Sequence, residues 1–257
     1  MIERPDSALV GRLVPSPNFE ARAGGRTPDL LLLHYTGMSS AAKAIDWLAR
    51  PEAKVSCHYV VADDGAIVQM VSEQARAWHA GVSYWAGETD INSCSIGIEV
   101  HNPGHDAGYP PFPAAQMAAV IGLARDIVVR HRIPASRVLA HSDVAPARKI
   151  DPGEAFDWRA LADAGVGRWV APEPIDGDDT GLCEGARSEL IAEAQLLMLR
   201  YGYGADVTGQ FDRATAFLLR SVQLHWRPAR VDSRLDRSTL LTLRRLTDAL
   251  EIDRATV

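Results

Sequence analysis

The chain has 257 residues, of which 47% are hydrophobic and 23% charged, and its net charge is −6. This length suits one large domain or two smaller ones, and the composition is that of an ordinary globular protein. The negative charge gives no support to nucleic-acid binding, and no apolar run is long enough to span a bilayer. We therefore expect neither nucleic acid nor a membrane span.

Two further features exclude classes of protein. The N-terminal sequence MIERPDSALV lacks the basic start and apolar core of a signal peptide. We therefore expect a cytoplasmic protein, or alternatively a periplasmic one from which an export signal has been removed. The three cysteines, Cys57, Cys94 and Cys183, form no close pair, which argues against a disulfide framework and against a cysteine-based zinc site.

Strand-like and helix-like segments alternate over the first two thirds of the chain. Short apolar runs indicate strands, and apolar residues at 3.6-residue spacing indicate helices. In chain order, the patterns predict a strand at 30–33, a helix at 39–50, a hairpin at 56–71, a strand at 94–100, a helix at 112–132 and a strand at 137–141. This alternation predicts an α/β fold with a mixed central sheet flanked by helices.

The remainder of the chain predicts a small three-helix domain. Residues 171–185 are rich in proline, glycine and aspartate, which is typical of a linker. Beyond them, residues 211–220 and 235–244 are identical at five of ten positions. Each copy carries an aspartate in second place, Asp212 or Asp236, which favours the start of a helix. The predicted organisation is a catalytic domain at 1–172, a linker at 173–186 and a helical domain at 187–252.

Two histidines and one aspartate are candidate metal ligands. His34 follows the strand at 30–33, and His141 follows the last predicted strand, so both lie where a strand opens into a loop. Asp151 comes ten residues after His141 in a proline-broken segment that can fold back. Two imidazoles and a carboxylate form a three-ligand zinc set that leaves a position for water. The alternative for each residue is a hydrogen-bonded loop position.

Glu99 and Lys149 are candidates for proton transfer and charge stabilisation. Alternation in the strand at 94–100 places Glu99 on the face opposite its apolar neighbours, where partial desolvation would give it the raised pKa of a general base. The alternative is a solvated strand face. Lys149 is one of only three lysines against 24 arginines and lies two residues before Asp151, which suggests a compact cation at that place.

Other polar residues have weaker signals. His79 lies in a loop of small residues and could line a sugar or peptide groove, or belong to a plain turn. Arg148 could bind a substrate carboxylate bidentately, or lie on the surface. We expect His101 and His105 to face solvent, and we assign Asp143 no role beyond that of a loop acid.

The chain also resembles a known family over residues 14–158. The resemblance rests on five motifs in this order: LLLHYTG, SCHYVVADDGAIVQMV, AWHAGVSYW, SIGIEVHNPG and AHSDVAPARKIDPGEAFDW. Together they resemble the zinc-dependent N-acetylmuramoyl-L-alanine amidases of type 2, which are related to the peptidoglycan recognition proteins. The resemblance implies that His34, His141 and Asp151 bind one zinc ion, that Glu99 is the catalytic acidic residue and that Lys149 is the catalytic lysine.

The reaction implied by this resemblance is hydrolysis of the amide between the lactyl group of N-acetylmuramic acid and L-alanine. Residues 194–226 in turn resemble the three-helix peptidoglycan-binding domains. The implied partners are peptidoglycan or muropeptides, and we expect a monomer. The substrate stays open between 1,6-anhydro-muropeptides, met during recycling in the cytoplasm, and polymeric wall, met in the periplasm.

Two other functions remain open. A recognition module with the amidase fold would bind muropeptides without turnover, but relatives of that type lose a zinc ligand and all three are present here. A different zinc hydrolase of the cell wall, such as a carboxypeptidase, fits the chemistry but not the set of motifs.

Overall fold

The computed structural model describes residues 2–255, and the chain folds there into a sheet region followed by helices. Over this range it forms eight strands: β1 (Arg12–Leu13), β2 (Phe19–Ala21), β3 (Leu30–Tyr35), β4 (Tyr59–Val61), β5 (Ile67–Gln69), β6 (Ala75–Ala77), β7 (Ser95–Val100) and β8 (Val138–Ala140). Over the same range it forms eight α-helices: α1 (Ala41–Leu48), α2 (Ile91–Cys94), α3 (Ala114–His131), α4 (His141–Val144), α5 (Trp158–Asp163), α6 (Glu189–Tyr201), α7 (Arg213–Trp226) and α8 (Arg237–Ala255). Within the described chain, no helix combines the length and apolar character needed to cross a bilayer.

The central sheet is mixed, as predicted. Its six strands lie in the order β1-β5-β4-β7-β3-β8. β3 pairs in parallel with both β7 and β8, whereas β4 and β5 form an antiparallel hairpin. β2 and β6 form a separate two-stranded sheet. The parallel strands β7, β3 and β8 therefore bring their carboxyl ends to one edge of the sheet.

The apolar run of β3 lies between two cores. Leu31 and Leu33 pack into a cluster with α3, while Leu30 and Leu32 pack into a second cluster that includes α6, α7 and α8. Successive side chains of a strand point to opposite faces, so a strand covered on both faces has to be apolar throughout. This explains why the sequence shows an unbroken leucine run and no alternation.

Two of the predicted strand ends differ from the structure. β3 continues through His34 to Tyr35, because its pairing with β7 extends to those residues. His34 is therefore part of the strand and does not follow it. His141 does follow β8, but it is the first residue of the helical turn α4 and not a loop residue.

The repeat noted in the sequence opens two helices. Asp212 precedes α7 and accepts a hydrogen bond from the backbone N–H of Thr215 at 2.7 Å. Asp236 precedes α8 and accepts the equivalent bond from Thr239, also at 2.7 Å. Both predicted N-caps are confirmed.

A buried glutamine forms several hydrogen bonds with the loop before each of these helices. The Oε1 atom of Gln195 accepts two backbone N–H groups of the loop before α7, and its Nε2 donates to a loop carbonyl and to Thr215. Gln223 makes the same four kinds of bond with the loop before α8 and with Thr239. The sequence repeat is thus also a repeat of side-chain hydrogen bonding.

The helices α6, α7 and α8 with the loops between them, hereafter the helical region (residues 189–255), pack directly onto the sheet region. Trp85 is 1% exposed and contacts the ring of Tyr203 at a centroid distance of 4.8 Å. The segment predicted as a linker is also anchored, because Leu182 and Leu235 exchange two backbone hydrogen bonds of 2.9 Å. The domain boundaries stay a prediction, while the contact between the two regions is a continuous apolar core.

Candidate active site

The candidate site lies at the carboxyl edge of the parallel strands. His34 of β3 and Glu99 of β7 are direct partners in the parallel register, and His141 immediately follows β8. Ligands of open α/β sheets bind at the carboxyl ends of the strands, where loops diverge. The sheet thus brings together residues that are more than 100 positions apart in the chain.

Three buried donor atoms converge at this edge. The Nδ1 atoms of His34 and His141 are 2.8 Å apart. Asp151 Oδ2 lies 3.3 Å from His34 Nδ1 and 3.0 Å from His141 Nδ1. Two imidazole nitrogens and a carboxylate oxygen in this arrangement can hold a metal ion.

The charge states of this cluster suit a cation. Burial, together with the neighbouring His141, lowers the pKa of His34 to about 4, so the imidazole is neutral and its lone pair is free. Burial alone would raise the pKa of Asp151, but His141 and His34 outweigh it and hold the pKa well below its usual range. Neutral imidazoles and an ionised carboxylate are the protonation states in which these side chains bind metals.

The far nitrogens of both histidines are also bonded. His141 Nε2 lies 3.1 Å from the carbonyl oxygen of Ala80 and donates to it. His34 Nε2 lies 3.0 Å from His79 Nδ1, and His79 Nε2 lies 3.2 Å from Ser95 Oγ. These partners assign the proton to Nε2 of both converging histidines and leave both Nδ1 atoms directed at Asp151.

His79 is placed behind His34, with only 9% of its surface exposed. A Cβ atom added at Gly97 would lie 2.6 Å from His79 Nδ1, so the ring fits only because residue 97 is glycine. The structure shows His79 as a support of His34, and its role in substrate binding stays a prediction. Neither Gly97 nor Ser95 was singled out from the sequence, because their contact with His79 depends on the packing of β7.

Glu99 and Lys149 line one cavity together with His141 and Asp151. The cavity has a volume of about 430 Å³. Within residues 2–255, the buried Oε2 atom of Glu99 has no hydrogen-bond partner. Burial raises the pKa of Glu99 well above its ordinary value, the charge of Asp151 raises it further, and Lys149 lowers it. A carboxyl group with a raised pKa is suited to accepting a proton and returning it.

Arg148 lies at the rim of the same cavity and is exposed. Its guanidinium donates to the carbonyl oxygen of Ala80 at 2.9 Å and to that of Val82 at 2.6 Å. Ala80 thus accepts hydrogen bonds from both Arg148 and His141. Binding of a substrate carboxylate by Arg148 stays a prediction.

Two expectations about polar residues are wrong. His101 does not face solvent: it is 6% exposed, and its Nδ1 lies 3.0 Å from the hydroxyl of Thr36. Asp143 is not a loop acid: it is 1% exposed and belongs to the helical turn α4. His105 is partly exposed and lies 3.0 Å from a carboxylate oxygen of Glu154.

A family model described as N-acetylmuramoyl-L-alanine amidase matches residues 24–154, about half of the chain. The chain belongs to this family. The matched residues include His34, Glu99, His141, Lys149 and Asp151, so the resemblance predicted from the five motifs is confirmed.

Two relatives within this family show how much of the chain of this amidase has a counterpart in known amidases. It is 36% identical over 237 residues to N-acetylmuramoyl-L-alanine amidase AmiD of Escherichia coli (strain K12), which covers 86% of this chain and 82% of AmiD. It is 37% identical over 169 residues to 1,6-anhydro-N-acetylmuramyl-L-alanine amidase AmpD of the same organism, which covers 58% of this chain and 90% of AmpD. A large part of this amidase therefore has a counterpart in AmiD but not in AmpD.

Solved structures of related amidases also match this chain over nearly its whole length. AmiD from E. coli in complex with anhydro-N-acetylmuramic acid-L-Ala-D-gamma-Glu-L-Lys superposes with a TM-score of 0.73 at 34% identity, over 90% of this chain and 92% of that one. AmpDh3 from Pseudomonas aeruginosa in complex with anhydromuramic pentapeptide gives a TM-score of 0.72 at 32% identity, over 89% and 94%. The fold of the amidase, with its sheet and its three C-terminal helices, is thus shared along nearly the whole chain.

Proposed function

We propose that the amidase uses one zinc ion, bound by His34 Nδ1, His141 Nδ1 and Asp151 Oδ2. The observation that carries this proposal is the convergence of these three buried atoms beside an open cavity. Two histidines and a carboxylate form a three-ligand donor set typical of catalytic zinc, with one position left for water or substrate. Zinc in such a site supplies Lewis acidity toward a water molecule and an amide carbonyl.

The bond that we propose is cut joins the lactyl group of N-acetylmuramic acid to L-alanine of the peptide. Glu99 Oε2 takes the proton of the attacking water and returns it to the leaving amine. Its raised pKa supports this role, because the carboxyl group can hold the proton between the two transfers. The ammonium group of Lys149 stabilises the oxyanion that forms on the carbonyl oxygen.

We further propose that the 1,6-anhydro form of the sugar is accepted. Two solved relatives that align over about nine tenths of this chain hold anhydromuramic peptides, which supports this choice. Turnover of soluble fragments alone fits cell-wall recycling by a cytoplasmic enzyme. Turnover of intact sacculi fits remodelling by a periplasmic one.

Metal analysis and product mass spectrometry test the proposal together. The purified protein should contain one zinc ion per chain and should release the intact peptide, beginning with L-alanine, from an anhydro-muropeptide. Glu99→Gln should retain zinc and lose activity by about 100-fold or more. Binding of the muropeptide without hydrolysis, in a protein free of zinc, would instead identify a recognition module.

A further inference from the structure

Asp143 is a buried carboxylate whose hydrogen-bond donors come mainly from the helical region. Its Oδ2 atom accepts a bond from the backbone N–H of Ala140 at 2.8 Å and lies 2.7 Å from His225 Nδ1. Its Oδ1 atom accepts bonds from the hydroxyls of Tyr203 at 2.7 Å and Ser221 at 3.0 Å. Three of the four donors therefore belong to the helical region, and one belongs to the sheet region.

Two of these donors, His225 and Tyr203, are also held by aromatic contacts that do not involve Asp143. The ring of His225 is stacked between Trp158 and Trp226, at centroid distances of 3.8 and 3.6 Å. Tyr203 is fully buried, and its ring packs against Trp85. A buried carboxylate is costly unless its oxygens are hydrogen-bonded, so Asp143 is confined to the position that these fixed donors define.

Asp143 belongs to the same helical turn as one of the converging residues. Asp143 is the third residue of α4, and His141 is the first. The backbone N–H of Ser142 in the same turn donates to the carbonyl oxygen of Asp151 at 3.0 Å. A displacement of α4 would therefore move the side chain of His141 and the backbone of Asp151 together.

We propose that Asp143 is a positioning residue for the metal centre and that the helical region completes this centre through Tyr203, Ser221 and His225. The helical region then has a role in metal retention that is separate from any binding of cell-wall glycan. This inference rests on the proposed function, since it takes His141 and Asp151 as metal ligands. Removal of a hydrogen bond made directly to a metal ligand typically changes metal affinity by 10–100-fold, and Asp143 acts one contact further out, so the lower end of this range is expected.

The test compares two tyrosine variants of the full chain. Tyr203→Phe removes one donor to Asp143, whereas Tyr201→Phe removes a neighbouring buried hydroxyl that is not bonded to Asp143. Zinc affinity is measured by competition with a chromophoric chelator, and thermal unfolding of the zinc-free proteins is recorded in parallel. We expect Tyr203→Phe to weaken zinc binding by about 10-fold and Tyr201→Phe by less than about twofold.

A second readout separates positioning from catalysis. At saturating zinc, kcat of Tyr203→Phe should return to near the wild-type value, because the variant changes metal retention and leaves the reacting groups intact. The double variant Tyr203→Phe/Ser221→Ala should weaken zinc binding further. Equal zinc affinity in Tyr203→Phe and Tyr201→Phe overturns the inference and leaves the proposed function standing. A wild-type protein that binds no zinc overturns both.

Discussion

Glu73, in the connection between β5 and β6, gives a stability prediction that can be worked out from its contacts. Its oxygens accept hydrogen bonds from Tyr59 at 2.6 Å and from Arg130 at 2.8 Å, and they lie 2.7 Å from His131 Nε2. Burial alone would raise the pKa of Glu73, but these partners lower it from 4.5 to about 2. At about 1.4 kcal/mol for each pH unit, this corresponds to about 3 kcal/mol of folding free energy.

Glu73→Gln should therefore lower the free energy of unfolding by about 3 kcal/mol at pH 7. Because the pKa is lower in the folded state, this stabilisation is present above pH 4.5 and is lost as the pH falls toward 2. At pH 4 the difference between wild type and variant should be smaller by about 1 kcal/mol. Urea denaturation of the zinc-free proteins at both pH values measures these differences.

Glu20→Gln is the matched control, because Glu20 pairs with Arg76 while more than half of its side chain is exposed. Glu20→Gln should lower the free energy of unfolding by less than about 1 kcal/mol at either pH. The reasoning would be refuted if Glu73→Gln lowered the free energy of unfolding by less than about 1 kcal/mol at pH 7, or by the same amount at pH 4 and pH 7.

Three further predictions concern the site and the repeat. Lys149→Met should lower kcat about 100-fold in a muropeptide assay while zinc content is retained, and unchanged kcat would remove Lys149 from the mechanism. Gly97→Ala should lower the free energy of unfolding by about 2 kcal/mol and reduce zinc occupancy, because the new Cβ displaces the ring of His79. Normal zinc occupancy in this variant would argue against a supporting role for His79. Gln223→Leu should lower the free energy of unfolding by about 3 kcal/mol in urea denaturation, since two loop N–H groups lose their acceptor. A decrease below about 1 kcal/mol would show that the hydrogen bonds of Gln223 are dispensable for stability.

Local features of the fold could be predicted from the sequence because their causes lie within a few residues. Asp212 and Asp236 cap α7 and α8 by accepting bonds from backbone N–H groups three residues further on, as predicted. Apolar runs predicted the strands β3, β4, β5, β7 and β8, and their alternation with helices predicted the mixed sheet, whereas the short strands β1, β2 and β6 were not predicted. The grouping of His34 with Glu99 needs the parallel register of β3 and β7, which only the family resemblance could suggest.

Features that depend on distant packing could not be predicted. His101 is buried, and its contacts come from distant parts of the chain: its ring lies beside Thr36, and Gln116 of α3 donates to its carbonyl oxygen at 2.8 Å. Three of the four partners of Asp143 lie 60 to 82 residues further along the chain. Hydrophobic periodicity gives no information about such pairs, so an aspartate next to a proposed ligand appeared to be a loop residue.

The distant partners of Asp143 also bear on the order in which the protein folds. Chains are synthesised from the N-terminus, and contacts of large sequence separation form late because loop closure is entropically costly. The turn α4 is made before Tyr203, Ser221 and His225 leave the ribosome, and until then the carboxylate of Asp143 is better solvated by water. We expect the sheet to form first and α4 to reach its final position only after α6 and α7 have docked. Pulse-labelling hydrogen exchange during refolding should then show α4 protected together with α7, later than β3 and β7.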